Sequence, residues 1–229
     1  MDTIRRYCII SATALVFAGT LGSLTAMASE ASEASALVDK SKVTINTFAA
    51  NKDFAGMKSA LAQAKAVLIF PQVLKAGFIL GGSGGSGVLV VRDEKSGNWG
   101  NPAFYTMGTA SLGLQAGVAA AEVVMVVHTQ KALDSLYTNK IKLGADASVA
   151  VGPKGIGTGA SVTADFVVYS QAKGAFAGLA VDGSVLDVRE TLNTAYYGKP
   201  VTPLEILVKQ DVSNPASAGL QAALARATK

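Results

Sequence analysis

Glycine is distributed unevenly along this chain, and its distribution limits the folds that the chain can form. Of the 24 glycines, 20 lie between Gly77 and Gly198, where they separate short runs rich in valine, isoleucine, phenylalanine and tyrosine. β-Branched and aromatic residues favour strands, whereas glycines between and within strands favour turns and strong bends. This region is therefore predicted to form a curved antiparallel sheet or a barrel-like core.

The densest glycine run is GGSGGSG, from Gly81 to Gly87, which contains the G-x-G-x-x-G spacing of dinucleotide-binding loops. That motif requires a helix after the glycines, with its N terminus facing the phosphates. Here Val88 to Asp93 follow, and these mostly β-branched residues indicate a strand. We interpret the run as a hairpin turn in which the glycines adopt positive φ angles. A small anion-binding nest of N–H groups is the alternative role.

The predicted strands are Ala66 to Phe70, Gly77 to Leu80, Val88 to Arg92, Ala103 to Met107, Val123 to His128, Ala147 to Val151, Ser161 to Ser170 and Ala175 to Val181. A short helix is predicted for Gln130 to Tyr137. Ahead of the strands, the region from Glu30 to Lys65 is alanine-rich, and its apolar residues recur at helical spacing. The resulting fold class is α+β, with N-terminal amphipathic helices and short additional helices around the sheet.

Two apolar stripes define the N-terminal helices. The first contains Leu37, Val38, Ile45 and Phe48, and the second contains Phe54, Met57, Leu61 and Ala64. Asp53 is predicted to cap the second helix. On that helix, Lys58 and Lys65 lie on one face beside the apolar stripe, an arrangement with which a helix can lie on a membrane. The alternative is a surface helix that packs its stripe on the domain.

The first 28 residues have the features of an export signal. Arg5 and Arg6 precede a mostly apolar run, and Ala26-Met27-Ala28 offers a cleavage site. An uncleaved membrane anchor is the alternative, but the run is shorter than the roughly 20 residues that span a bilayer. We expect an exported protein, periplasmic or secreted and peripheral to a membrane. The expected divisions are a signal peptide (1–28), a helical segment (29–65), a β-rich domain (66–210) and a C-terminal tail (211–229).

The side chains that catalysis needs are scarce. His128 is the single histidine, and Asp134 lies near it in sequence as an acid that could orient it, but no G-x-S-x-G nucleophile turn is present. The acidic residues are scattered and lack the spacing of a calcium loop. We therefore predict no enzyme activity, no metal site and no cofactor. The net charge of +4 comes without a basic run, so nucleic acid is not an expected partner.

Six sequence blocks between Ala66 and Gly198 occur in an order that resembles the SYLF domain, also called the Ysc84 actin-binding domain. They are AVLIFPQVLKAGFILGGSGGSGVLVVRD, NWGNPAFY, GLQAG, LGADASVAVGP, VVYSQAKGAFAGLAVDGSV and NTAYYG. Gly100 and Asn101 depart from the family's usual residues. The resemblance implies binding to anionic phospholipids, phosphoinositides in particular, with contact through an amphipathic helix ahead of the β-rich core. Some eukaryotic members also bind actin filaments.

The function expected from this resemblance is binding to anionic phospholipid headgroups at a membrane surface. The alternative is a non-enzymatic structural or protein-interaction module of the cell envelope, with a protein partner. The candidate lipid-binding residues are Phe54, Met57, Lys58 and Lys65 on the second helix, with Lys75, Arg92 and Lys173 at the glycine-bearing hairpins.

Overall fold

The computed structural model describes residues 27–77, 80–112, 117–138, 140–152, 164–173, 181 and 183–229. Most of the predicted export signal, Phe176 and all but the last residue of the predicted strand Ala175 to Val181 lie outside these residues. Within the described residues, eight strands form one sheet: β1 (Ala66–Gly77), β2 (Leu80–Val91), β3 (Ala103–Leu112), β4 (Gly117–Val127), β5 (Ile141–Lys142), β6 (Val149–Val151), β7 (Phe166–Lys173) and β8 (Val185–Val188).

The order of the strands in the sheet is β5-β8-β3-β2-β1-β4-β7-β6. Neighbouring strands are antiparallel except β6 and β7, which are parallel. The sheet is a curled half-barrel, and with its helices it confirms the α+β fold class predicted from the glycine and β-branched pattern. The parallel pair was not predicted.

Helical segments flank the sheet on both faces. They are α1 (27–50), a 3-10 turn (Lys52–Phe54), α2 (Ala55–Ala62), α3 (Gln130–Thr138), α4 (Glu190–Tyr197), a π-helical turn (Glu205–Lys209), a second 3-10 turn (Pro215–Ser217) and α5 (Ala218–Thr228). Asp53, predicted to cap the second helix, lies inside the first 3-10 turn, and α2 begins after Phe54 without a side-chain cap. Asn51 caps the 3-10 turn, since its side chain accepts a hydrogen bond from the Asp53 N–H at 2.9 Å.

The alternation of side chains along β1 divides the interior into two apolar clusters. Val67 and Ile69 pack with α1, α2, α4 and α5 on one face. Leu68 and Phe70 pack with α3 and the π-helical turn on the other face. Neighbouring strands cover both edges of β1 and helical segments cover both of its faces at this level, so its residues from Ala66 to Phe70 are fully buried.

The glycine run lies inside β2, so the predicted turn at Gly81 to Gly87 is wrong. Gly85 and Gly87 do not have positive φ angles. Glycine is required at these positions for a steric reason, because a Cβ at Gly85 would lie 3.1 Å from the Val73 Cα and still nearer to the Gln72 carbonyl oxygen. The strand continues through the glycines without a helix, which agrees with rejecting the nucleotide-binding motif.

A bulge in β1 explains this close approach. Between Ile69 and Leu74 the strand contains one more residue than the β2 segment opposite, and the same irregularity lies between Phe70 and Val73 opposite β4. An extra residue exchanges the two faces of the strand beyond it. Val73 therefore joins the cluster of Phe70, while Leu74 points to the α1 side of the sheet.

Candidate functional site

Helix α2 is packed into the domain rather than standing free. Phe54 and Met57, the two apolar residues predicted to contact lipid, are only 6% and 1% exposed. The Phe54 ring stacks on Phe48 at 4.6 Å between centroids and meets the edge of Tyr169 at 6.0 Å. Of the two interpretations of this apolar stripe, the structure agrees with the one in which the stripe packs on the domain. Neither side chain can reach a membrane while α2 stays docked.

Two of the predicted basic residues make contacts where α2 ends beside the sheet, and Lys65, which was predicted to lie on the second helix, instead comes three residues after the end of α2 at Ala62. The Lys65 ammonium pairs with the Glu94 carboxylate. The Arg92 guanidinium donates to the carbonyl of Ala62 at 2.8 Å, in the last turn of α2, and to the carbonyl of Gly97 at 3.2 Å. Both side chains thus have structural partners at the end of the sheet where β1 begins.

Lys75 and Lys173 lie at the opposite end of the sheet. Lys75 faces Ala119 of β4 across the ladder, and the next residue of β4, Ala120, faces Lys173. Ten residues of strand separate Lys65 from Lys75, roughly 30 Å. The side chain of Lys173 lies outside the described structure. The seven predicted residues therefore do not form one site.

Lys58 instead belongs to a cluster that the sequence did not suggest. Lys52, Lys58 and Arg226 line one cavity of about 380 Å³ between the end of α1, the start of α2 and the end of α5. Within the described part of the chain, none of these three side chains has an ion-pair or hydrogen-bond partner. We call this cavity the basic groove. Arg226 could not be assigned to it from local spacing, because it is 168 residues from Lys58 in the chain.

Beyond α1, the sheet carries exposed aliphatic side chains. Leu74 and Val118 are 50% and 76% exposed and lie on the same face of β1 and β4, in rungs of the ladder that are separated by the Lys75–Ala119 pair. Val43 on α1 is 57% exposed and lines a cavity of about 450 Å³ with Ala120. We call Val43, Leu74, Val118 and Ala120 the aliphatic end. It is formed because the bulge turns Leu74 toward α1.

A buried polar contact anchors α1 beside the aliphatic end. The Glu122 side chain is 8% exposed, and one of its carboxylate oxygens accepts a hydrogen bond from the Thr44 hydroxyl at 3.0 Å. At the other end of α1, Glu33 accepts from Arg189 at 2.7 Å, and Arg189 also donates to Ser86 of β2. These contacts fix α1 across the sheet and thereby set the position of Val43.

The residues considered for catalysis do not assemble. His128 lies at the end of β4, and burial lowers the pKa of its imidazole. Its Nε2 is buried without a hydrogen-bond partner, while Asp134 accepts from Gln130 at 2.7 Å. Across the described ranges, no three potential ligands are grouped to hold a metal ion. No helix in those ranges is both long and apolar enough to span a bilayer.

Comparison with known proteins identifies relatives of this chain. A family model described as Ysc84, Las17-binding protein actin regulator, matches residues 108–227. LAS seventeen-binding protein 3 of Saccharomyces cerevisiae is 36% identical over 154 residues, which cover 64% of this chain and 33% of that protein. SH3 domain-containing YSC84-like protein 1 of Bos taurus is 29% identical over 163 residues, covering 69% of this chain and 47% of that protein.

The chain spans a third to a half of the length of these relatives. No solved structure matches it significantly. The matched family residues include the end of β3, strands β4 to β8, α4 and most of α5, and therefore one wall of the basic groove, while β1 and β2 precede the matched range.

Proposed function

Because the chain belongs to the Ysc84 family, described as Las17-binding actin regulators, we propose that it is a non-catalytic module that binds a partner protein. The observation that carries this proposal is the aliphatic end. Single exposed aliphatic residues are common on protein surfaces, but neighbouring ones that border a cavity mark interaction sites. Val43 and Leu74 line two cavities beside α1 that share Lys40, Pro71 and Gln72 in their linings. Val118 is exposed on the same face of β4 as Ala120, which lines the cavity of Val43.

The geometry suits a protein partner because the surface is held by rigid elements. Leu74 and Val118 project from paired strands, and Val43 projects from a helix that is anchored at both ends. A preformed apolar surface loses little conformational entropy when a partner covers it. Aliphatic side chains of this kind can serve as the buried centre of an interface, with Lys40 and Gln72 at its polar rim.

Co-sedimentation with actin filaments and capture on immobilised Las17 test this proposal. We expect the double variant Leu74→Ser/Val118→Ser to lose at least tenfold in affinity for the probe that binds, since each change removes a contact worth more than about 1 kcal/mol. Val151→Ser/Val208→Ser is the matched control, because these valines are 81% and 51% exposed elsewhere. The proposal would be contradicted if the wild-type protein bound neither probe, or if both double variants lost affinity equally.

Binding to anionic lipid is the second candidate function, and the position of Lys75 favours it. Lys75 is exposed at the same end of β1 as Leu74, on the opposite face of the strand, so a basic group and an exposed aliphatic side chain lie at one end of the sheet. A basic group near an anionic surface contributes about 1 kcal/mol. We therefore propose that any lipid contact is made at the aliphatic end rather than on α2. An exported protein, periplasmic or secreted, remains our proposal for its location.

Vesicle co-sedimentation separates the two functions. If the protein binds lipid through this surface, vesicles containing phosphatidylserine should bind more tightly than vesicles of phosphatidylcholine alone, and Lys75→Gln should reduce that preference. The preference should also weaken as salt rises, because charges on a surface are screened over about 8 Å at physiological ionic strength. Equal binding to both vesicle types would exclude recognition of headgroup charge.

A further inference from the structure

The basic groove is separate from the aliphatic end and is not used by the proposed function. Its cations come from three segments, with Lys52 in the first 3-10 turn, Lys58 on α2 and Arg226 on α5. Among the residues that line this cavity, none is acidic. Three basic side chains without partners around one cavity create a local positive potential that is focused by the cavity walls.

Most of the remaining lining is apolar, with four alanines, the buried Phe54 and Met57, and the polar Asn51. Ala49, Ala55 and Ala227 line the cavity together with the cations, and their methyl groups leave it open where longer side chains would fill it. The docking of α5 against α2 holds the two walls together, and Leu220, Ala223 and Leu224 of α5 are fully buried. The groove thus combines cationic walls with an alanine floor on a rigid support.

We propose that the basic groove binds an acidic segment of a partner protein, with glutamate or aspartate side chains on Lys52, Lys58 and Arg226. Carboxylates pair with arginine in a bidentate geometry and with lysine as a point charge. Small apolar side chains of the same segment would cover the alanines. The proposal rests on the proposed function in that the partner is a protein, but it concerns a different surface.

A membrane fits this groove less well than a peptide. Stable attachment of a helix to a bilayer requires apolar side chains to enter the acyl region in addition to charge attraction. Here the large apolar residues beside the cations, Phe54 and Met57, are in the core. A flat surface would meet the protruding cations without reaching the alanine floor, whereas a peptide can enter the cavity and contact both.

Fluorescence anisotropy with a short fluorescein-labelled peptide of glutamate and alanine tests the proposal. The full chain should bind this peptide and should not bind the same peptide with glutamine in place of glutamate. We expect Lys52→Gln/Lys58→Gln/Arg226→Gln to weaken binding at least tenfold, because charge-assisted contacts are about twice as strong as neutral hydrogen bonds. Lys142→Gln/Lys199→Gln/Lys209→Gln removes the same charge from exposed positions elsewhere and should change the affinity less than about threefold.

A second variant tests the cavity without changing the charge. Ala55→Phe places a ring at the start of α2, in the open part of the groove, and should also weaken binding of the glutamate peptide at least tenfold. Urea unfolding of each variant establishes that it is folded. If the wild-type chain does not bind the glutamate peptide, the proposal is overturned. It is also overturned if both triple variants lose affinity equally, or if Ala55→Phe binds as the wild type does.

The outcome for this groove is distinguishable from the outcome for the aliphatic end. Leu74→Ser/Val118→Ser should bind the glutamate peptide with unchanged affinity, because its substitutions lie outside the groove lining. If the chain binds the peptide through the three cations but binds neither actin filaments nor Las17, the result would support the proposed role of the basic groove and contradict the proposed function. Binding of phosphatidylserine vesicles through the same cations, without binding of the peptide, would instead show that the groove serves a membrane.

Discussion

A methyl group at Gly87 would lie 2.9 Å from the ring carbon Cε1 of Phe70 and even closer to the Ile69 carbonyl oxygen. Both neighbours are fully buried in β1, so neither can move aside. We expect Gly87→Ala to lower the free energy of unfolding by about 1 to 3 kcal/mol, the usual cost of forcing extra atoms into a packed interior. Urea denaturation measures this loss.

Gly108 on β3 provides the matched control, because a Cβ added there would meet nothing within 4 Å. Gly108→Ala should leave stability unchanged or raise it slightly, since alanine reduces the freedom of the unfolded chain. Equal effects of the two substitutions would contradict the steric explanation. The β-branched residues after this run predicted the strand that follows it, but the sequence did not show why glycine is needed within the strand. The close approach arises from a bulge in a different strand, which local spacing does not reveal.

Asp165 connects three elements through one carboxylate. It accepts hydrogen bonds from the Thr129 hydroxyl at 2.5 Å and from the Ser148 N–H at 2.9 Å. The bond from Thr129 and those from Ser148 lower the pKa of this carboxyl group below its ordinary value. A lowered folded-state pKa adds stability above the unfolded-state pKa of about 3.9, and this stability is lost as pH falls through the folded-state value.

We therefore expect Asp165→Asn to be less stable than the wild type at neutral pH. The difference should shrink as the pH falls below about 4, where the wild-type carboxyl also becomes protonated. Urea midpoints across this pH range measure the effect. The control is Asp211→Asn, at an exposed position, whose urea midpoint should differ from that of the wild type by the same small amount at every pH. A difference for Asp165→Asn that stays constant with pH would show that its ionisation does not contribute.

At the scale of elements, the helical stripes were the most predictable feature. Leu37, Val38, Ile45 and Phe48 are all buried, as the helical spacing predicted. Strand ends were less predictable: β1 was expected to end at Phe70, but the bulge accommodates Pro71 and the strand continues to Gly77. The segment 211–229, expected as a tail, forms α5. Its apolar residues Leu220, Ala223, Leu224 and Ala227 have the spacing that would have indicated a helix.

The docking of α2 can be tested by truncating a single side chain. Met57 is 1% exposed, so Met57→Ala should lower the free energy of unfolding by about 2 to 5 kcal/mol. Lys58→Ala is the control on the same helix, because Lys58 is exposed and its replacement should change stability by less than about 0.5 kcal/mol. Unchanged urea denaturation of Met57→Ala, with loss of vesicle binding, would mean that α2 leaves the core and contacts lipid as first expected.

At the scale of the whole molecule, one part of the candidate site could be predicted from the sequence and the other could not. The helical face carrying Lys58 was predictable, because the spacing of a single helix decides it. Its association with Arg226 was not, because the two residues meet only after α2 and α5 pack on the same side of the sheet. Lys65 was grouped with Lys58 by spacing, yet its actual partner is Glu94, beyond β1 and β2. Partners that are distant in sequence are set by the fold.

The predicted export cleavage before Ser29 has a consequence for the whole fold. Of the described residues, a chain that starts at Ser29 loses only Met27 and Ala28, and both are exposed, so the packing of α1 should be retained. A chain that starts at Asp39 also loses three buried residues, Ala34, Leu37 and Val38. We expect that shorter chain to be less stable by about 3 to 6 kcal/mol in urea denaturation, from the burial of Leu37 and Val38. Intact mass of the exported protein identifies the terminus, and a mature chain that began beyond Val38 would contradict the role of α1 in the core.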